Sequence, residues 1–180
     1  AKCTKGIEDA PLLTDLLTGL PNGFQLYLMF EQIAMDASRY DYPLALFFFS
    51  LDDVKTIRRT WGQISGDEAL RATVAYLTRQ LRETDLMVRY AGDEFVMLNP
   101  KMNLEQAEAL RSRLQDELDH FRFAVRTDTE IPLEVSMGVA VYPADGTQLE
   151  SLLSIAEWRM REDRELRSAV RHNIKNISVL

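Results

Sequence analysis

Leu44-Ala45-Leu46-Phe47-Phe48-Phe49 is an apolar run with neither a break nor alternation. A strand with one wet face alternates, so an unbroken run of this length points to a central strand covered on both faces. Pro43 stands just before it. Any fold for the chain must therefore lay cover over both faces of a sheet. Helices are available for this. From Phe24 to about Arg39, the residues Phe24, Leu26, Leu28, Phe30, Ile33 and Ala34 suit an amphipathic helix, and Pro21-Asn22-Gly23 breaks the chain before it. A second helix is predicted from about Asp67 to Leu81, where Leu70, Val74, Leu77 and Leu81 fall three and four apart.

Two short strands are predicted near Leu86–Tyr90 and Phe95–Asn99, with Ala91-Gly92-Asp93-Glu94 as the turn between them. A long helix over 103–120, strands at Phe121–Arg126 and Leu133–Tyr142, and a closing helix over 148–167 complete the order α-β-α-β-β-α-β-β-α. That order is an α+β arrangement with a central, mostly antiparallel sheet flanked by helices. The 180 residues hold no internal repeat and suit one domain. A chain of this length buries roughly 70% of its unfolded surface, enough to dispense with disulfides. The expected division is a linker or the end of a preceding helix over 1–11, the domain over 12–170, and a tail or linker to a following domain over 171–180. Ala1 in place of Met, and helix-like sequence near the end, suggest a domain cut from a longer protein.

Charge narrows the partners. Lys plus Arg is 21 against Asp plus Glu at 28, a net charge of -7. A dedicated nucleic-acid binder needs a basic footprint, so that class is set aside. A small anionic ligand remains compatible, because a few local arginines can hold one inside an acidic protein. Cys3 alone makes no internal disulfide and no thiolate zinc site, and His120 and His172 have no metal-ligand spacing. No apolar run is long enough to span a bilayer. The expected setting is cytoplasmic, either free or as the cytoplasmic part of a larger or membrane-attached protein.

The turn carries the most chemistry. Gly92 permits close backbone approach, and the adjacent carboxylates of Asp93 and Glu94 repel each other unless something cationic binds. Alone, such a turn is usually just solvated. Its context changes that reading: Asp15-Leu16-Leu17-Thr18-Gly19-Leu20-Pro21-Asn22 lies upstream, Gly66-Asp67-Glu68-Ala69-Leu70 opens a helix, and Ser136-Met137-Gly138-Val139-Ala140 sits on a late strand. In this order and spacing, over about Leu12 to Ser168, the chain resembles the GGDEF family, the diguanylate cyclase domains of bacterial signalling proteins. Ala91-Gly92-Asp93-Glu94-Phe95 stands where the family usually has Gly-Gly-Asp/Glu-Glu-Phe.

The resemblance implies the palm-like fold of nucleotidyl cyclases and synthesis of cyclic di-GMP from two GTP held by two facing domains. Two divalent ions, Mg²⁺ or Mn²⁺, would serve wherever GTP binds. It implies Asp93 and Glu94 as catalytic residues, the metal positions Asp93, Leu51 and Asp52, and Asp67 near the guanine. Several positions depart from the pattern. Ser50 replaces the usual metal-binding Asp. Asp52, two residues on, would face the same side if the strand continued. Arg58 replaces the guanine-reading Asn, and an arginine has donors only. Gln63 replaces a His, while Arg164 keeps a phosphate-binding cation and Ser168 drops one. A second constellation is kept: Arg82-Glu83-Thr84-Asp85 has the spacing of the family's product-inhibition site, with Arg113 where a further arginine is often found.

These features lead to the expectation of a degenerate GGDEF domain, catalytically impaired, acting as a regulatory or cyclic di-GMP-binding module. An active diguanylate cyclase and a structural dimerisation or docking module are the alternatives. Expected partners are cyclic di-GMP, GTP or both, a second copy in a homodimer, and an adjacent EAL or sensory domain. Nucleic acid and membrane insertion are not expected. Trp61 and Trp158 read as partly buried helix aromatics, and Arg159–Arg171 as a solvated helix face.

Overall fold

The computed structural model describes residues 13–177, so the linker expected over 1–11, with Cys3, lies outside the described residues, as do 178–180. The apolar run forms β1 (Leu44–Leu51), and all eight of its residues are buried. It lies inside a four-stranded sheet of order β2-β3-β1-β6, with β2 at Leu86–Ala91, β3 at Glu94–Pro100 and β6 at Val135–Tyr142. Each neighbouring pair is antiparallel.

Both faces are covered, which explains the missing alternation. Leu44, Leu46 and Phe48 pack on α1 (Gly23–Arg39) and α5 (Leu149–Ile177), through Leu26, Phe30, Leu152, Leu153, Ala156 and Met160. Ala45, Phe47 and Phe49 point the other way. They join Val54 and Ile57 of α2 (Val54–Trp61), Leu70, Val74 and Leu77 of α3 (Gln63–Thr78), and Leu114 and Leu118 of α4 (Leu104–His120). Phe47, Phe48 and Phe49 are each no more than 1% exposed. Full burial of such a side chain is worth about 1.5–3 kcal/mol, so this one strand anchors both cores. On the outer strand, Gly138 lets α5 come close: a Cβ there would lie 2.0 Å from the Ala156 carbonyl oxygen.

Four details differ from the sequence expectation. The helix expected from Asp67 begins at Gln63 and ends at Thr78, and a separate helix, α2, precedes it. Arg122–Arg126 (β4) pairs with Thr129–Pro132 (β5) in a small ribbon of its own, so the strand expected from Leu133 starts instead at Val135. The closing helix runs past 167 to Ile177. Trp158 is 58% exposed rather than partly buried. Among the described residues, no helix is long and apolar enough to cross a membrane.

Candidate functional site

The end of β1 and the β2–β3 turn meet. Ser50 is the ladder partner of Glu94 on one side and of Ser136 on the other. The Leu51 amide donates to the Asp93 carbonyl at 3.0 Å, tying the turn to the strand end. The turn is held from behind as well. Arg89 donates to the Gly92 carbonyl at 2.9 and 2.6 Å and to both carboxylate oxygens of Asp15 at 2.9 and 3.1 Å. Asp15 also accepts from the Thr18 amide and hydroxyl. Burial works against the ionised Asp15, but the hydrogen bonds from Thr18 and Arg89 prevail and hold its carboxyl below the usual range. Sequence reasoning placed Asp15 in a motif without a role and passed over Arg89, which no periodicity marks.

Asp52 does not continue the strand. β1 ends at Leu51, and Asp52 lies in the following turn, its amide donating to the Glu134 carbonyl at 2.8 Å. The chain turns there to enter α2, with Asp53 at the N-cap position. The Asp52 carboxylate is fully engaged: Oδ1 accepts from Arg164 Nε at 2.7 Å, and Oδ2 accepts from the Ser136 hydroxyl. Burial raises the Asp52 carboxyl above its ordinary range, against the pull of Ser136 and Arg164. Glu94 is raised too, first by burial and then by the nearby carboxylates of Glu157 and Asp93.

The base-side residues are also paired among themselves. Asp67 Oδ1 accepts from Arg58 Nη2 and from Gln63 Nε2, each at 3.0 Å. Gly66 makes room for this, since a Cβ there would lie 2.3 Å from Arg58 Cγ. Arg58 Nε is buried with no hydrogen-bond partner among the described residues.

Arg82 and Asp85 face each other just after α3. Arg82 gives its amide and two guanidinium N–H groups to the Asp85 carboxylate, at 2.8, 3.3 and 3.1 Å, and Nη2 also reaches the Pro100 carbonyl at 3.2 Å. The Asp85 side chain is 2% exposed and that of Arg82 50%. Arg113 is exposed on α4, where its charge acts on the Tyr76 phenol, a donor to Glu117.

A divalent pair needs several hard anionic oxygens facing one space. Here Ser50 is neutral and 2% exposed, and Asp52 already has a partner on each oxygen. Among the described residues, no three His, Cys, Asp or Glu side chains are grouped to hold a metal. The donor set does not fit a two-ion centre.

Comparison with known proteins places this geometry. The family model described as "Diguanylate cyclase, GGDEF domain" matches residues 12–168. The cyclic di-GMP phosphodiesterase NbdA of Pseudomonas aeruginosa is 34% identical over 143 residues, 79% of this chain and 18% of the relative. The diguanylate cyclase DgcP of the same organism is 31% identical over 136 residues, 76% of this chain and 20% of the relative. The chain thus spans about a fifth of each of these curated relatives. Among solved structures, the GGDEF domain of PA1120 (TpbB or YfiN) from Pseudomonas aeruginosa superposes with a TM-score of 0.78 at 27% identity, covering 85% of this chain and 89% of that one.

Proposed function

The chain belongs to the GGDEF family of diguanylate cyclase domains, a domain of cyclic di-GMP signalling, and from that premise we propose that it is catalytically impaired and acts as a regulatory module that binds cyclic di-GMP. One observation carries the reading: two cations that would meet phosphate and base are paired with acids of the same centre. Arg164 is on Asp52, and Arg58 is on Asp67. A nucleotide entering this centre has to break both ion pairs and still lacks the carboxylate that Ser50 replaces. Arg82 offers something different, because half of its side chain stays exposed while Asp85 fixes it in place. A held guanidinium fork suits a phosphate or a guanine edge. The relatives that match are far longer than this chain and include both a cyclase and a phosphodiesterase, which suits a domain acting beside others.

The test is incubation of the purified domain with GTP and Mg²⁺ or Mn²⁺, followed by chromatography. No cyclic di-GMP above background is expected. Robust turnover would overturn the impaired reading and leave an active cyclase. Calorimetry with cyclic di-GMP addresses the other half: heat that saturates supports the receptor reading, and none up to high micromolar ligand leaves an interaction module.

A further inference from the structure

Arg164 is the residue that the sequence offers for a phosphate; its side chain is 40% exposed, yet its guanidinium is engaged on an acid. Nε donates to Asp52 Oδ1 at 2.7 Å, and Nη2 lies 3.5 Å from Met160 Sδ one turn back along α5. The Asp52 side chain is 13% exposed, so the pair is largely shielded from water on the acid's side. The Ser136 hydroxyl takes the other Asp52 oxygen. The strand end that carries Asp52 is tied to the hairpin, since the Leu51 amide donates to the Asp93 carbonyl at 3.0 Å. A divalent ion at this strand end would need the Asp52 oxygen that Arg164 already takes. Ser50, the position that would supply the third anion, contributes none.

We infer that Arg164 is the resident cation of this centre: its guanidinium holds the Asp52 carboxylate that a divalent ion would need, and the wild-type centre binds no Mg²⁺ or Mn²⁺. A bound dication and a guanidinium cannot share one carboxylate cheaply, since like charges a few ångströms apart repel strongly at low effective dielectric. A mobile lysine could swing aside, but Arg164 is held by Asp52 and lies along Met160. The inference rests on the impaired-cyclase reading, and metal binding separates the two.

The probe is Mn²⁺ alone, with free ion followed by electron paramagnetic resonance as the domain is titrated, and folding of each variant checked by circular dichroism. Wild type is expected to bind no Mn²⁺ up to millimolar concentration. Arg164→Gln keeps an amide donor for Asp52, so it is expected to fold, and it removes the charge. It is expected to admit Mn²⁺, and adding Ser50→Asp should tighten binding roughly tenfold or more through one further anionic ligand. Wild-type binding at micromolar Mn²⁺, or a folded Arg164→Gln/Ser50→Asp double variant that binds none, would overturn the inference. A wild-type domain that binds Mn²⁺ but makes no cyclic di-GMP refutes this inference and leaves the impaired reading standing.

Discussion

Arg89 shows how much one side chain can decide at the signature turn. Its guanidinium joins three separate pieces of chain: its own strand, the Gly92 carbonyl and the Asp15 loop. It is 14% exposed, and Asp15 is 20% exposed, so neither has water ready to replace the other. Charged hydrogen bonds of this kind contribute about 1.5–3 kcal/mol, and Arg89→Ala is expected to lose an amount in that range by urea denaturation at pH 7. The loss should depend on pH. Asp15 is held below its ordinary range in the fold, so its contribution is present above the unfolded value of about 3.9 and fades as pH falls through the folded one. The gap between wild type and Arg89→Ala should therefore close below about pH 4. Glu94 carries the opposite sign. Burial, Glu157 and Asp93 raise it, so its ionised form opposes folding at neutral pH. Glu94→Gln should raise the melting temperature at pH 7, and the gain should vanish as the pH approaches the carboxylate range.

Helix α5 does at the scale of an element what Arg89 does for the turn. β6 is an edge strand with a row of outward backbone groups, a liability unless covered. Side chains around α5 cover it: Asp163 accepts from the Met137 amide at 3.0 Å, Arg159 donates to the Val139 carbonyl at 2.7 Å, and Asp145 accepts from the Val141 amide at 2.8 Å. Arg167 and Arg171 pair in the same way with Asp119 and Glu134. Four arginines of this stretch, Arg159, Arg164, Arg167 and Arg171, thus meet acids from other elements that only the folded chain reveals, while Arg161 stays exposed and pairs with Glu157 on the same helix. Gly138 is what lets the helix lie so near. Gly138→Ala should cost about 1–3 kcal/mol or more as the helix is forced off β6, read as a lower urea midpoint. The same contrast governs what could be read in advance. The Phe47–Phe49 run and the Leu periodicity announce their own burial, so β1 and the long helices were legible. α2 was not, since its eight residues include Lys55, Arg58 and Arg59 in a short charged stretch. β5 ends in Pro132, which suits a small ribbon but reads as a break. The converging motifs located the site, whereas the closed pairs Arg164–Asp52 and Arg58–Asp67 depend on rotamers and on distances across the chain that spacing does not encode.

For the molecule as a whole, ligand binding at Arg82 should appear as stability. A ligand that binds only the folded state adds about 2.7 kcal/mol at a hundred times its Kd. For a domain of this size each kcal/mol moves the melting temperature by about 2–4 °C, so saturating cyclic di-GMP should raise it by roughly 5–10 °C. The geometry separates the two members of the pair. Arg82 keeps half of its side chain exposed and can turn a face to the ligand while Asp85 holds the rest, so Arg82→Ala should abolish most of the thermal shift and weaken binding about tenfold or more. Asp85 is buried and accepts the Arg82 amide at 2.8 Å, so Asp85→Ala should lower the melting temperature even without ligand. Glu83→Ala, between them and exposed, should leave both readings near wild type. Arg113 on α4, whose charge acts on the Tyr76 phenol, supplies the check on reach. If Arg113→Ala leaves the shift intact while Arg82→Ala removes it, a single arginine holds the ligand. If both are needed, α4 and the end of α3 grip it together. A thermal shift that survives Arg82→Ala unchanged would place the ligand elsewhere on the domain.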